Sequence, residues 1–353
     1  MLFVLAALLP YLMPLLSSRS NYWVAITFKI GLAALLALGL NIVVGFAGLL
    51  DLGYVAFFAI GCYTYAIMTG AVRFTLAQRE ELPNTLDLLP EFHMYFWLIF
   101  FAAMAIALLA GVLLGAPTLR LRGDYLAIVT LGFGEIVRIL AKNLRGFTGG
   151  PLGVKSIPHP AINALGIHYD FGLNNNPYYW LTLVLIVVVV FIVARINNSR
   201  VGRAWASIRE DEIAAAAMGV PTVRMKLLAF ATGATIASIS GVIYSSQIIF
   251  INPDLATLLN PTFGSIIVLA MVVLGGMGSI AGPILGAAAM VFLPEYFRSL
   301  GDARFLVFGA ALVLIMIFRP QGLIPSRRRE LELTGHDLKD ETVYEAEHGG
   351  AAP

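Results

Sequence analysis

The chain has 353 residues, of which 59% are hydrophobic and only 12% are charged, and its formal net charge is +2. Soluble domains carry roughly 25% charged residues, so this composition, with a mean hydropathy of +0.84, excludes an ordinary soluble protein and argues against a nucleic-acid partner. The single cysteine, Cys62, excludes intrachain disulfides and cysteine-cluster metal sites.

Long runs without a charged residue recur along the chain. A membrane-spanning helix needs about 20 consecutive apolar residues. Stretches that contain no Asp, Glu, Lys or Arg cover 94–119, 171–194, 227–253 and 255–294. We therefore predict an all-α fold, a polytopic membrane helical bundle with about ten transmembrane helices.

The first half of the chain contains five predicted spans. Residues 1–17 are apolar and interrupted by Pro10 and Pro14. They lack a basic start and a clear small-residue cleavage site, so we expect a first span rather than a signal peptide. Four further spans are predicted at about 23–44, 50–68, 95–116 and 124–141.

The second half adds spans on both sides of a polar stretch. A loop rich in Gly and Pro, 143–176, leads to a span at 178–196, and further spans are predicted at 227–250 and 305–318. The uncharged run 255–294 is too long for one helix and is broken by glycines at 275–282, so we predict two short spans around a glycine turn. We assign 1–325 to a transmembrane domain and expect the charged tail, 326–353, to be disordered.

The polar stretch 197–226 predicts a short helix between two spans. Its acidic residues are Glu210, Asp211 and Glu212. Acidic residues are favoured in the first turn of a helix, Ala214–Ala217 are strong helix formers, and Gly219 followed by Pro221 predicts the end of the helix. Such a helix suits the docking of a soluble partner, and the alternative is a solvated connector.

Basic residues predict the orientation. Placing the 197–226 loop in the cytoplasm puts more Lys and Arg residues inside than outside, and both termini then face the cytoplasm. With this placement the second to fifth spans start from outside, whereas the last four start from inside. The two sets would be related as an inverted repeat, a common transporter plan.

Polar residues within or beside the predicted spans are candidates for a substrate path, because ionisable groups in membrane spans often serve function. These candidates are Asn41, Asp51, Thr130, Glu135 and Gln247. Glu135 also stands three residues before Arg138 and can pair with it on one helix face. Lys29 and Asp51 lie near predicted span ends, where they would snorkel. Small residues at every fourth position from Ala103 to Gly115 and from Ala229 to Ser245 predict close helix packing.

No pattern in the sequence indicates catalysis. A P-loop, an H-E-x-x-H motif and a G-x-S-x-G motif are all absent, so we predict no catalytic residues, no metal site and no cofactor bound by this chain. A membrane enzyme is an alternative, but the sequence shows none of the catalytic residues that it would need. A secondary transporter is another alternative, but it would give the polar helix no role.

Five segments resemble the permeases of branched-chain amino-acid ABC importers, and most closely the M-type of the two permease subunits of such Leu/Ile/Val systems. The resemblance covers roughly residues 30–325 in the same order. The segments are TLRLRGDYLAIVTLGFGEIVRIL (118–140), FTGGPLGV (147–154), GRAWASIREDEIAAAAMGV (202–220), VLGGMGSIAGPILGA (273–287) and FRPQGLIP (318–325).

The resemblance implies an ABC importer permease in a bacterial inner membrane. It implies a second, homologous permease as a heterodimer partner, two ATPase subunits, and a periplasmic or extracellular substrate-binding protein. The polar helix resembles the EAA-type loop that docks into the ATPase, and its expected coupling residues are Arg209, Glu210, Asp211, Glu212, Ala214, Ala215 and Gly219. The substrate could be a branched-chain amino acid or, as in related permeases, urea or a short-chain amide.

Overall fold

The computed structural model describes residues 20–72, 96–118, 123–164, 167–253 and 264–298, with isolated residues between 301 and 324. The predicted first span, 1–17, and the predicted tail, 326–353, lie outside the described residues. Only scattered residues of the predicted last span, 305–318, are described. The described ranges therefore contain only part of the roughly ten predicted spans.

Helices make up nearly all of the described part of the chain. They are α1 (Ser20–Asn41), α2 (Val55–Met68), α3 (Phe96–Thr118), α4 (Asp124–Asn143), the one-turn α5 (Arg145–Thr148), α6 (Asn175–Asn197), α7 (Arg200–Glu210), α8 (Glu212–Ala217), α9 (Thr222–Ile248), α10 (Ser265–Gly275) and α11 (Ala281–Tyr296). Among the described residues, four helices, α1, α3, α6 and α9, are long and apolar enough to cross a membrane. This architecture confirms the predicted polytopic helical bundle.

Helix α9 lies at the centre of the bundle and packs against α1, α2 and α3. Its small residues permit this approach, as the spacing predicted. A Cβ added at Gly241 would overlap the carbonyl oxygen of Phe58 on α2, and one added at Gly61 of α2 would overlap that of Ser238. On the other side, a Cβ at Gly111 of α3 would lie 3.0 Å from the Cβ of Ala234.

Two features interrupt the predicted spans. Helix α1 passes into a π-helical turn, Ile42–Phe46. Helix α2 starts at Val55 rather than at Leu50, because the 47–54 segment is not helical and the Asp51 carboxylate accepts the Gly53 N–H at 2.8 Å. The 14 residues of α2 extend only about 21 Å at 1.5 Å per residue, which is less than the ~30 Å hydrocarbon core.

A glycine turn joins α10 and α11, as predicted for the run 255–294. Gly276 and Gly278 adopt positive φ angles of 117° and 79°, which glycine accepts without steric cost. The carbonyls at the end of α10 find partners in a distant segment, because Leu323 N–H donates to Leu274 O at 2.8 Å. Helix α10 has 11 residues and is therefore too short to cross a membrane alone.

The long loop after α4 contains β-structure, which the predicted all-α fold did not include. A hairpin of two four-residue strands, β1 (Ala161–Ala164) and β2 (Ile167–Asp170), forms there in antiparallel register. The loop also pairs with the end of α9, because Val154 forms a β-bridge with Ile251. The loop thus lies at the Ile248 end of α9, and the polar 197–226 stretch adjoins the Thr222 end.

Candidate functional site

The polar stretch forms two helices with a sharp joint rather than one short helix. We call residues 200–219, which comprise α7, the joint, α8 and the turn that ends at Gly219, the corner. Asp211 has an extended backbone (φ −151°) and ends α7, and its side chain caps α8 by accepting the N–H groups of Ile213 at 2.7 Å and Ala214 at 3.0 Å. The prediction of one helix whose first turn contains Glu210 is therefore wrong, since an extended residue cannot continue a helical hydrogen-bond ladder.

The cap at Asp211 has an electrostatic consequence. The N–H groups of Ala214 and Ile213 hold the pKa of the exposed Asp211 carboxyl below its ordinary value. A carboxylate whose pKa is lower in the folded than in the unfolded protein stabilises the fold at pH values above its unfolded pKa. This stabilisation is lost as the pH falls through the lower, folded-state pKa. The cap is therefore fully ionised at neutral pH.

The end of the corner follows the prediction. Gly219 adopts a left-handed backbone (φ +84°), the conformation in which glycine usually terminates a helix. Helix α9 then begins at Thr222, five residues before the predicted span at 227. Lys226, predicted to lie in the polar loop, is therefore part of α9.

Three side-chain contacts anchor the corner to the bundle. The indole N–H of Trp205, a side chain only 1% exposed, donates to Met225 O at 2.8 Å. The Lys226 ammonium, 3% exposed, lies 2.6 Å from a Glu212 carboxylate oxygen. Arg209 donates through Nη1 to Gly45 O in the π turn of α1 at 2.6 Å. The corner is thus attached to both α9 and α1.

The anchors show what the sequence interpretation missed. Trp205 and Lys226 were not among the predicted coupling residues. Trp205 is the one aromatic residue in the polar stretch. A large apolar side chain in such a stretch indicates which side of the helix packs against the bundle. Arg209 belongs to the last turn of α7, not to the start of the second helix.

The outer side of the corner is apolar and exposed. Met218 is 85% exposed and Ile213 is 65% exposed. Glu210, Ala214 and Gly219, three of the expected coupling residues, are also exposed. Ala215 is 4% exposed, so it supports the corner from inside and does not reach a partner directly.

A cavity of about 180 Å³ lies between the corner, the 47–50 segment and the start of α4. Its apolar lining includes Leu49, Leu126 and Ile208, and its charged lining is Arg209, Glu212 and Lys226. One water needs only about 10–15 Å³ of such space. The space between the corner and the 47–50 segment is therefore large enough for several water molecules.

The residues predicted for a substrate path do not form one cluster. Thr130 accepts the Leu52 N–H at 3.0 Å, next to Asp51. Asp51 is 1% exposed, so the expectation that it snorkels to the surface is wrong, because the 47–54 segment turns into the bundle. The second carboxylate oxygen of Asp51 has no hydrogen-bond partner in the described structure.

The other path candidates make contacts elsewhere. Arg138 Nε donates to both carboxylate oxygens of Glu135 at 3.0 Å, which confirms the predicted pair. Gln247 donates to the Asn175 side chain at 2.9 Å, at the loop end of α9. Asn41 is fully buried and bonds to the glycine turn between α10 and α11.

The described residues expose large apolar side chains on the corner and anchor the corner to the bundle. Within the described ranges, no group of three or more His, Cys, Asp or Glu is arranged to hold a metal ion. The geometry of the corner is suited to transmitting movement. An exposed apolar tip on the corner is connected to the bundle through three short polar contacts, two with the continuous helix α9 and one with the π turn of the interrupted helix α1.

Comparisons with known proteins show the family of the chain. The family model described as the permease component of the branched-chain amino acid transport system matches residues 22–318. The chain is 39% identical over 349 residues to the high-affinity branched-chain amino acid transport system permease protein LivM of Salmonella typhimurium, covering 93% of this chain and 75% of the relative. It is 40% identical over 330 residues to LivM of Escherichia coli, covering 87% and 71%.

A more distant relative has another described role. The autoinducer 2 import system permease protein LsrC of Yersinia pseudotuberculosis is 27% identical over 193 residues, covering 53% of this chain and 51% of the relative. No solved structure matches the chain significantly.

Proposed function

The chain belongs to the family of permease components of branched-chain amino acid transport systems, and we propose that it forms part of the membrane path for ATP-driven uptake of leucine, isoleucine and valine. It is a transport permease and not an enzyme. The observation that carries the substrate assignment is the 39% identity to a branched-chain amino acid permease over 93% of the chain.

The proposed partners follow from the exposed surface of the corner and from the absence of a nucleotide-binding motif in the sequence. The sequence contains no P-loop, so two separate ATPase subunits supply the hydrolysis. The exposed Ile213 and Met218 on the corner are the contact that these ATPases use. A second, homologous permease completes the path, and a periplasmic or extracellular binding protein delivers the amino acid.

A second substrate class remains open. The relative with an autoinducer import role shares half of this chain, so the fold accommodates more than one kind of cargo. Urea and short-chain amides are the alternative substrates. Uptake of labelled leucine that is inhibited by isoleucine and valine but not by urea would support the branched-chain assignment, whereas a urea permease would take up labelled urea and no labelled leucine.

We expect uptake to depend on all four kinds of subunit. The purified chain in liposomes should neither hydrolyse ATP nor accumulate radiolabelled leucine, because it has no nucleotide site. Adding the ATPases, the sister permease and the binding protein should produce both activities. Leucine accumulation by this chain alone, driven by a sodium or proton gradient, would instead identify a secondary transporter.

The proposed location is a bacterial inner membrane with the corner and both termini in the cytoplasm. The long loop after α4 and the corner adjoin opposite ends of α9, which has 27 residues and extends about 40 Å. This separation supports placing them on opposite membrane faces. The loop would then face the binding protein.

Cysteine labelling tests this orientation. A cysteine replacing the exposed Lys155 should react with a membrane-impermeant maleimide added to intact spheroplasts. A cysteine replacing the exposed Glu210 should react only after the membrane is opened. The native Cys62 is buried, so the unmodified protein serves as the unlabelled control. The reverse pattern would invert the topology.

A further inference from the structure

Two interrupted helices meet beside the corner. Helix α1 ends in the π turn Ile42–Phe46, and α10 and α11 are separated by the glycine turn. The two interruptions are in direct contact, because a Cβ added at Gly45 would lie 2.6 Å from the backbone nitrogen of Gly278. π-helical turns inside α-helices occur frequently at functional sites.

The Asn41 side chain joins the two interruptions. Its Oδ1 accepts the Gly278 N–H at 2.9 Å, and its Nδ2 donates to Ser279 O at 2.8 Å. Asn41 is 0% exposed, and a buried polar group without a partner is costly. Both ends of the amide are thus satisfied only while α1 and the glycine turn keep this relative position.

Arg209 connects this contact to the corner. Its guanidinium donates to the carbonyl of Gly45, four residues after Asn41. Gly48, with φ +71°, lets the backbone approach the arginine stem, since a Cβ there would lie 2.8 Å from Arg209 Cγ. The cation therefore reaches the carbonyl of an interrupted turn, where a charged donor makes a strong hydrogen bond.

The contact extends to the far end of the described chain. Ser279 Oγ donates to Ile324 O at 2.9 Å, and Ile324 N–H donates to Gly275 O at 2.9 Å. A shift of the glycine turn would therefore also move the 322–324 segment against α10. Four separate parts of the chain meet at this point.

We propose that Arg209 and Asn41 are positioning residues that couple movement of the corner to the relative position of the two interrupted helices. The cavity beside Arg209 gives the corner room to shift. When the corner moves, Arg209 displaces Gly45, and the Asn41 amide transfers that displacement to the glycine turn. This inference rests on the proposed function, since the driving movement comes from the ATPases.

The first test is Arg209→Ala in the reconstituted four-component importer. Arg203→Ala is the matched control, because Arg203 is exposed on the same helix and bonds locally to Asn198 O. For Arg209→Ala we expect normal assembly and an unchanged KM for the loaded binding protein. The amount of leucine transported per ATP hydrolysed should fall about 2- to 30-fold, the range found for residues that modulate coupling between sites.

A double-mutant cycle tests the connection between the two residues. Arg209→Ala and Asn41→Asp are combined, since the aspartate retains the acceptor for Gly278 N–H and removes the donor to Ser279 O. Residues that act through one network give non-additive effects. The ratio of leucine to ATP in the double variant should therefore be no lower than in the more impaired single variant. If Asn41→Asp does not yield folded protein, Asn41→Ser takes its place, because the shorter hydroxyl side chain cannot bond to both Gly278 N–H and Ser279 O.

Two outcomes would overturn the inference. One is an Arg209→Ala protein that transports and couples like Arg203→Ala. The other is strictly additive losses in the double variant. A failure of the proposed function is distinguishable, because the unmodified complex would then show no leucine uptake at all.

Discussion

Replacing Glu212 with lysine is expected to reduce the amount of folded permease severely. The Lys226 ammonium is 3% exposed and faces Glu212 at 2.6 Å. The substitution would leave this buried cation unpaired and place a second cation against it. Breaking a buried ion pair in this way costs on the order of 3 kcal/mol, which corresponds to about a hundredfold in the folding equilibrium. Size-exclusion chromatography of the detergent-extracted protein, with its thermal midpoint, measures the loss.

Two further variants make this prediction specific to the ion pair. Glu210→Lys is the same charge reversal two residues away on the exposed end of α7, and it should leave the yield and the thermal midpoint unchanged. The double exchange Glu212→Lys with Lys226→Glu should recover much of the folded protein. Equal yields for Glu210→Lys and Glu212→Lys would show that the Lys226 contact does not stabilise the fold.

Replacing Met218 with aspartate is expected to weaken ATPase binding and uptake strongly while leaving the permease folded. Met218 is 85% exposed, so a charge there is solvated and its folding cost is small. In an interface with an ATPase, the same charge would be desolvated without a partner. Central interface residues typically cost about 2 kcal/mol or more when altered, which is roughly a 30-fold loss of affinity. Co-purification with the ATPases and leucine uptake are the measurements.

A matched position separates docking from general surface effects. Val223 is also apolar and exposed, at 57%, but it lies in the first turn of α9 beyond Gly219. Val223→Asp should retain ATPase binding if the docking surface is confined to the corner. Normal ATPase binding by Met218→Asp would show that the exposed tip of the corner is not the contact.

The two substitutions separate the inner and outer sides of one small element. The inner side carries Arg209, Glu212 and Trp205 and is part of the fold. The outer side carries Ile213 and Met218 and is available to a partner. An arrangement of this kind lets a soluble subunit move the corner without contacting the membrane spans directly.

The sequence by itself determined the class of the protein. Charge-free runs of about 20 residues favour a membrane over water, and glycine followed closely by proline often ends a helix, so the four long apolar helices α1, α3, α6 and α9, the glycine turn at 275–282 and the end of the corner at Gly219 were predictable. These features depend on neighbours a few residues apart. The four-residue spacing of small side chains likewise indicated close packing around α9, because that spacing places them on one helix face.

The tertiary structure decided the roles of the polar residues. Glu212 was predicted to face a partner, yet it faces Lys226, and Asn41 was predicted for a path, yet it holds two interrupted helices together. The partners concerned are remote in the chain: Arg209 and Gly45 are separated by 164 positions, and Asn41 and Gly278 by 237. A buried polar group must find a partner somewhere, but hydropathy and periodicity describe only local sequence. Which partner it finds is set by how the helices pack.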